Sequence, residues 1–344
     1  MQALGKKEKK ADIVDVARVA KVSISTVSRS FNHPELVRPS TRKRIDEAVR
    51  RLGYIRNRAA QAMHGIRNGT IGLVVPTIDH AIFAEMVQAF SDAVSAQGFT
   101  ILLTSHGYDL EKEYSGIRTL LEHRVDGIAL VGFDHSEESY QLIESQGIPA
   151  ITLWNFAEDS RLSCVGSDNR KAGAMVTQHL LGLGHRKIAT MFPPVEDNDR
   201  ARNRLLGADG VLTAQSLSIP SHWCLKVPYH IGRAKEAAIG LFQASERPTA
   251  VLCGNDVLGQ GVIYAAMSCG LAVPGDVSVA AIGDFTGSDA IEPPLTTVRI
   301  PARTIGATAG QTVIDRIAAP DSPPIRHACA VTLVERASTA PVAH

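Results

Sequence analysis

The stretch "VSISTVSRSFN", Val22 to Asn32, decides how the N-terminal part of the chain is read. It carries five hydroxyl residues, one arginine and one asparagine, with Val27 and Phe31 four apart on one helical face. Ser23 suits an N-cap, which predicts a helix over Ile24 to Phe31. A helix capped by Asp12 precedes it, with Ile13, Val16, Ala17 and Ala20 facing inward, and "AKVS" is a tight connection. After the loop "NHPELV", Pro39 suits the first turn of a third helix, which runs to Leu52 and stops at Gly53. Ile45, Ala48, Val49 and Leu52 are its buried face. A helix with so thin an apolar stripe can dock on its own domain through Val27 and Phe31. Its small polar groups are then left for close approach to a DNA major groove.

The charge distribution agrees. The net charge is +1, but residues 1–68 hold sixteen Lys or Arg against six Asp or Glu, and residues 69–344 hold twenty against twenty-nine. A basic head on an acidic body implies that the head alone meets a polyanion. With 44% hydrophobic and 21% charged residues, the composition is that of a globular protein. No apolar run is long enough for a membrane span, and "MQALGKKEKK" is not followed by the apolar segment of a secretory signal, so a cytoplasmic protein is expected. Cys164, Cys224, Cys253, Cys269 and Cys329 are scattered, which favours buried free thiols over disulfides or a zinc site. No metal or cofactor is expected.

From Ile71 the texture changes. "IGLVVP", "FTILLTS", "GIALVG" and "PAITLW" alternate with amphipathic helices, the first of them placing Phe83, Met86, Val87, Phe90 and Val94 at helical spacing. A second series follows with "KIATMF", "CLKVP", "AVLCGN" and "VSVAAIG", and "LTTVRIP" and "ACAVTLVER" supply late strands. Two βαβ series predict two parallel-sheet halves with a ligand cleft beyond the C-terminal ends of their strands.

"DIVDVARVAKVSISTVSRSFNHPELVRPSTRKRIDEAVRRLGYIRNRAAQAM" resembles the head of the LacI/GalR (lac repressor) family of bacterial transcription regulators. The body continues the resemblance with "RVDGI", "GHRKIA", "RPTAVLCGND", "VPGDVSV" and "PPLTTVRIP", in family order. The resemblance implies an all-α helix-turn-helix head plus an α/β body of two parallel-sheet subdomains, like the periplasmic binding proteins. It also implies a homodimer on palindromic double-stranded operator DNA and a small-molecule effector, a sugar or sugar acid, in the cleft. The implied organisation is a DNA-binding domain over 1–53, a hinge helix and linker over 54–69, and an effector-binding and dimerisation body over 70–344. Within the body, the N-subdomain is expected at about 70–165 and 298–328, and the C-subdomain at about 166–297 and 329–344. No C-terminal leucine heptad follows "VTLVER", which favours a dimer over a tetramer.

Residue by residue, the resemblance places Ile24 and Ser25 where the family selects operator sequence, with Arg29 as a nearby base contact. It places Ser23, Thr26, Ser28 and Asn32 at the DNA, the last three on phosphates. Isoleucine at 24 has no hydrogen bond for a base edge but can meet a thymine methyl. "YIRNRAAQAM" matches the hinge helix: Tyr54, Asn57 and Ala60 fall at DNA-facing positions, and Met63 stands where an apolar wedge, usually leucine, enters the minor groove. The family often has proline where this chain has Arg56, which adds a charge and removes a φ restraint.

For the effector, the resemblance implies Phe83, Asp168, Arg204, Asn255 and Asp256. Many relatives carry an aspartate where an ungapped match puts Gly283, and Asp284 lies one residue later. The first half resembles the gluconate-type repressors, and His135 matches a histidine of that subgroup. Beside Arg204 it would help hold a carboxylate. Other functions find less support. "STRK", Ser40 to Lys43, has the S-x-x-K spacing of some acylating enzymes but begins a basic helix, "GLGHRK" and "GQGV" lack a phosphate-loop context, and no HExxH occurs. A transport-type binder would not carry the basic head.

Overall fold

A computed structural model describes residues 10–56, 67–79 and 81–342. The chain divides into two compact units, Met1–Asn68 and Gly69–His344. Among its described residues the first holds three α-helices. Helix α1 (Ile13–Ala20) is opened by a capping box: Asp12 accepts from the N–H groups of Val14 and Asp15, and the Asp15 carboxylate accepts from the N–H of Asp12. Helix α2 (Ile24–Asn32) runs one residue beyond the expected end, with Ser23 accepting from the Thr26 N–H at 3.1 Å. Helix α3 (Pro39–Leu52) has proline at its first turn and closes on Gly53 at φ 59°. Val16, Ala17, Ala20, Val27, Ile45 and Ala48 form the core, as the helical spacing predicts, with Ile13, Phe31, Val49, Leu52 and Tyr54 packed around it.

The second unit holds two six-stranded sheets. The first is ordered β11-β5-β4-β3-β1-β2, all parallel, and comprises β1 (Thr70–Val75), β2 (Thr100–Ser105), β3 (Gly127–Val131), β4 (Ala150–Asn155), β5 (Ser163–Ser167) and β11 (Arg326–Ala328). The second is ordered β12-β10-β9-β8-β6-β7: β6 (Ile188–Phe192), β7 (Cys224–Lys226), β8 (Ala250–Cys253), β9 (Ser278–Gly283), β10 (Thr296–Arg299) and an antiparallel β12 (Thr332–Val334). The helices between them are α4 (Ala81–Ala96), α5 (Leu110–Glu122), α6 (Glu137–Ser145), α7 (Asn169–Gly182), α8 (Asp199–Ala214), α9 (Ile231–Gln243), α10 (Asp256–Ser268) and α11 (Ala302–Ala318). Helices cover both faces of each sheet, so β1, β3, β4, β6, β8 and β9 are nearly continuous buried runs.

Several details differ from the sequence reading. Strand β5, in "LSCVGSD", is short and only partly apolar, and carried no strand signal of its own. "ACAVTLVER" is not one strand: β11 ends in the first sheet and β12 lies in the second. All of β5 belongs to the first sheet and all of β10 to the second, so the chain crosses after 167 and after 299, each slightly later than expected. Not every thiol is buried: Cys224 is exposed, and all five cysteines are free.

Buried histidines tie the C-terminal segment to the second sheet. His185 Nε2 lies 3.0 Å from the Ala340 carbonyl, and His179 Nε2 lies 3.0 Å from Thr339 Oγ1. Burial lowers the pKa of both imidazoles, and of His106, below the ordinary 6.5. The fold therefore favours the neutral ring, and below 6.5 the unfolded chain binds more protons than the folded one. Stability is full above 6.5 and falls as the pH drops through that value. The melting temperature is expected to fall between about pH 7.5 and about pH 5.5. A melting temperature that holds or rises over that interval contradicts the assignment.

Candidate functional site

On the head, Ser23, Ile24, Ser25 and Arg29 are exposed, Thr26, Ser28 and Asn32 are half-buried, and Val27 and Ser30 face inward. One face of α2 thus presents the residues expected at DNA. Ile24 remains 47% exposed at the helix start, an apolar contact surface left open among the described residues. Ser23 Oγ lies 2.8 Å from both Ser25 Oγ and Thr26 Oγ1, so these hydroxyls form one cluster at the helix N-terminus. That position favours a phosphate. Tyr54 stacks on Phe31, with ring centroids 6.3 Å apart. Asn57, Ala60 and Met63 lie outside the described residues.

In the body, a pocket lies between the subdomains, built from strand C-terminal ends as the topology requires. Phe83, in the first turn of α4, and Trp154, at the end of β4, form an apolar wall with ring centroids 5.0 Å apart. Tyr108 follows β2, Tyr229 follows β7, Asn255 follows β8 and Phe285 follows β9. Arg200 and Arg204 enter from α8, one turn apart and hence on one face. The two tyrosines also border an open groove of about 400 Å³ that leads outward past Pro194, Glu196 and Pro228.

The two arginines are held differently. Arg200 Nη1 donates to Asp199 Oδ1 at 2.9 Å and stands beside the Tyr108 hydroxyl. Burial pushes the Tyr108 phenol up to about 12, so it stays a neutral hydrogen-bonding group. Gly132, at φ 94°, leaves room for this pair, because a Cβ there would lie 2.4 Å from Arg200 Nη1. Arg204 is 4% exposed, donates from Nε to Asn169 Oδ1 at 2.8 Å, and donates from Nη1 to the Gly254 carbonyl at 2.9 Å. Both acceptors are neutral. Burial lowers its pKa, yet a guanidinium stays charged at neutral pH. Among the described residues, no carboxylate stands within ion-pair distance of it.

A directed chain of hydrogen bonds joins these groups across the subdomains. Arg204 donates to Asn169, Asn169 Nδ2 to Asn155 Oδ1 at 2.8 Å, and Asn155 Nδ2 to Asp199. Arg204 can only donate, so Asn169 Oδ1 accepts, Asn169 Nδ2 donates to Asn155 Oδ1, and Asn155 Nδ2 is left facing Asp199, which gives both amides one orientation. Asp199 Oδ2 also accepts from the Phe133 N–H at 2.6 Å, and Arg202 meets Asp134 at 2.6 Å. Thr286 also donates to Glu85, so several polar contacts bridge the two sides of the cleft.

Of the expected effector residues, the structure brings Phe83, Arg204 and Asn255 together around the pocket. It places the others elsewhere. His135 sits against Glu113, with Nδ1 2.9 Å from a carboxylate oxygen, and its Nε2 donates to the Gly132 carbonyl at 3.0 Å. A buried acid of its own claims this imidazole, which does not line the pocket. Asp168 is exposed and caps α7 through the Lys171 N–H at 2.9 Å, and the residue that turns inward is its neighbour Asn169. Asp256 is fully buried and accepts from the Phe285 N–H and the hydroxyls of Ser288 and Thr297 at 2.6–2.8 Å, which binds loops together. Asp284 turns to φ 59° and pairs with Arg299 at 2.6 Å and Arg336 at 2.7 Å, so Phe285 takes the pocket position. Tyr108, Trp154, Arg200, Tyr229 and Phe285 are additions. Their signal was present: all but Arg200 stand at or just after the C-terminal end of a strand, and Arg200 is one turn from Arg204.

Two glycines set where the arginines stand. A Cβ at Gly173 of α7 would lie 1.9 Å from the Arg204 carbonyl oxygen, and one at Gly207 of α8 would lie 1.9 Å from that of Arg170. Gly207→Ala is expected to force the helices apart and destabilise the body by about 1–3 kcal/mol. Arg204 would be withdrawn from Asn169, so ligand affinity should drop as well. A melting curve and a ligand titration unchanged from wild type would refute the close crossing.

Comparison with known proteins agrees with this architecture. Residues 12–57 match the model for bacterial regulatory proteins of the lacI family, and residues 177–339 match the periplasmic binding protein-like domain. The HTH-type transcriptional repressor PurR of Aliivibrio fischeri (strain MJ11) is 31% identical over 310 residues, 89% of this chain and 92% of that protein. The chain belongs to the LacI family. It is a DNA-binding transcriptional regulator with an effector-binding, periplasmic-binding-protein-like body, not an enzyme. The lac repressor dimer bound to operator and the anti-inducer ONPF is 25% identical, with a TM-score of 0.82, covering 96% of this chain and 100% of that one. The CelR–cellobiose complex is 26% identical, with a TM-score of 0.70, covering 95% and 99%. As a LacI-family regulator the chain has operator DNA and a small molecule as partners. Among the described residues, no helix is long and apolar enough to cross a membrane.

Proposed function

We propose that this LacI-family regulator is a repressor, homodimeric on a palindromic operator, whose effector is a sugar acid such as gluconate bound at Phe83, Trp154, Arg204 and Asn255. The observation that carries this reading is Arg204, a buried cation whose protein partners are neutral oxygens. A ligand carboxylate supplies the charge that the pocket lacks. Arg200, the tyrosines and Asn255 offer donors and acceptors to hydroxyls, and the Phe83–Trp154 wall offers a face for the C–H side of the ligand. His135 plays no part in this version, because Glu113 holds it.

DNA binding and ligand binding are then linked through the arrangement of the subdomains, with a reciprocal coupling of about 1–3 kcal/mol. The second reading is a ligand of another class, such as a planar ring acting as corepressor, and the aromatic character of Phe83, Trp154 and Phe285 favours it. Trp154 is a built-in probe. Its fluorescence should change on titration with gluconate or a related sugar acid, and the same compound should alter operator affinity. A response to neutral sugars or planar bases alone, with none to any acid, would remove the sugar-acid reading.

A further inference from the structure

We propose that Arg56 is a positioning residue that staples the chain leaving the DNA-binding head to the C-terminal end of recognition helix α2, and that operator affinity depends on this staple. Arg56 reaches back to α2 in three ways. Nη1 donates to the Phe31 carbonyl at 3.5 Å, Nη2 donates to Asn32 Oδ1, and the guanidinium carbon lies 5.5 Å from the centroid of the Phe31 ring. Tyr54 stacks on the same ring at 29° between planes, so Phe31 meets both Tyr54 and Arg56.

The physical reasons converge on this position. The last carbonyls of a helix lack intrahelical donors and form the negative end of its dipole, so a cation there both caps and neutralises. A planar guanidinium can fork to two acceptors while its plane lies over an aromatic ring, whereas an ammonium has neither the rigid fork nor a plane to stack. The contact also orients Asn32. Because Oδ1 accepts from Arg56, the amide Nδ2, 3.4 Å from Ser28 Oγ, is left as the donor, which is what a phosphate oxygen requires. The direction of the chain at residue 56 and the donor side of Asn32 are thus set by one side chain.

The competing role for an arginine in this position is direct phosphate contact, and the two roles make different predictions. The experiment measures operator affinity of the full chain against salt for wild type, Arg56→Ala, Arg56→Lys, Phe31→Leu and the Phe31→Leu/Arg56→Ala double variant, with melting curves to confirm folding. For a staple, Arg56→Ala weakens binding about tenfold and Arg56→Lys does not restore it, since the fork and the stacking are what matter. The logarithmic salt slope stays at the wild-type value, and the loss in the double variant is smaller than the sum of the two single losses. A slope flatter by about one, with Arg56→Lys close to wild type, would instead make Arg56 a phosphate contact. Affinity unchanged in Arg56→Ala, or losses that simply add in the double variant, would equally overturn the proposal.

Discussion

Operator affinity is expected to fall by roughly 10³–10⁵ between about 50 and about 200 mM salt, as for about 6–10 phosphate contacts. The charge supports this directly. Sixteen basic residues against six acidic ones lie in 1–68, and the remaining chain is acidic. The binding face is rich in short hydroxyls at a helix N-terminus, Ser23, Ser25 and Thr26, with Arg29 beside them. The hydroxyls position the helix on the phosphate backbone, while each phosphate neutralised by a lysine or arginine of the head releases condensed counterions, and added salt opposes that release. The acidic body adds nothing to polyanion binding, so the head should carry the whole slope. Fluorescence anisotropy of a labelled operator across a salt series measures it, and a nearly flat response would remove the groove-binding assignment of α2.

The second large effect concerns Arg204. Replacing it by glutamine is expected to weaken effector binding by about 100-fold or more, the cost of deleting one side of a buried charged contact. Operator affinity without ligand should stay within about threefold, because Arg204 bonds to Asn169 and Gly254, on its own side of the cleft, and its loss removes no bond between the subdomains. The variant would therefore bind operator but no longer respond. Arg204→Lys is expected to recover only part of the loss, since a single ammonium cannot reach both the Asn169 amide oxygen and the Gly254 carbonyl from one rigid plane. Trp154 fluorescence and ligand-dependent operator release report the two halves of the prediction. Normal release by the glutamine variant would show that Arg204 serves only to join α7 and α8.

Much of this molecule was legible from the chain alone because the deciding interactions are local. Asp12 and Ser23 satisfy the first N–H groups of their own helices, Pro39 opens α3 and Gly53 closes it, and the apolar spacing of Val16, Ala20, Val27 and Ile45 identifies the head core. The alternation of apolar runs with amphipathic helices likewise determined two parallel-sheet halves, because buried parallel strands need helices on both faces. Pairing was not local. Strand β5 is paired by β4 and β11 on its two sides, and one apolar run, "ACAVTLVER", divides between two sheets because its first residue pairs with β5 and its later ones with β10. The pocket was read only in part for the same reason. Which polar group faces a ligand depends on which others find a partner first within the fold. Glu113 takes His135, Ser288 and Thr297 take Asp256, Arg299 and Arg336 take Asp284, and Arg204 is left with neutral oxygens at the centre of the cleft. Those partners come from distant segments, and only the folded chain brings them within reach.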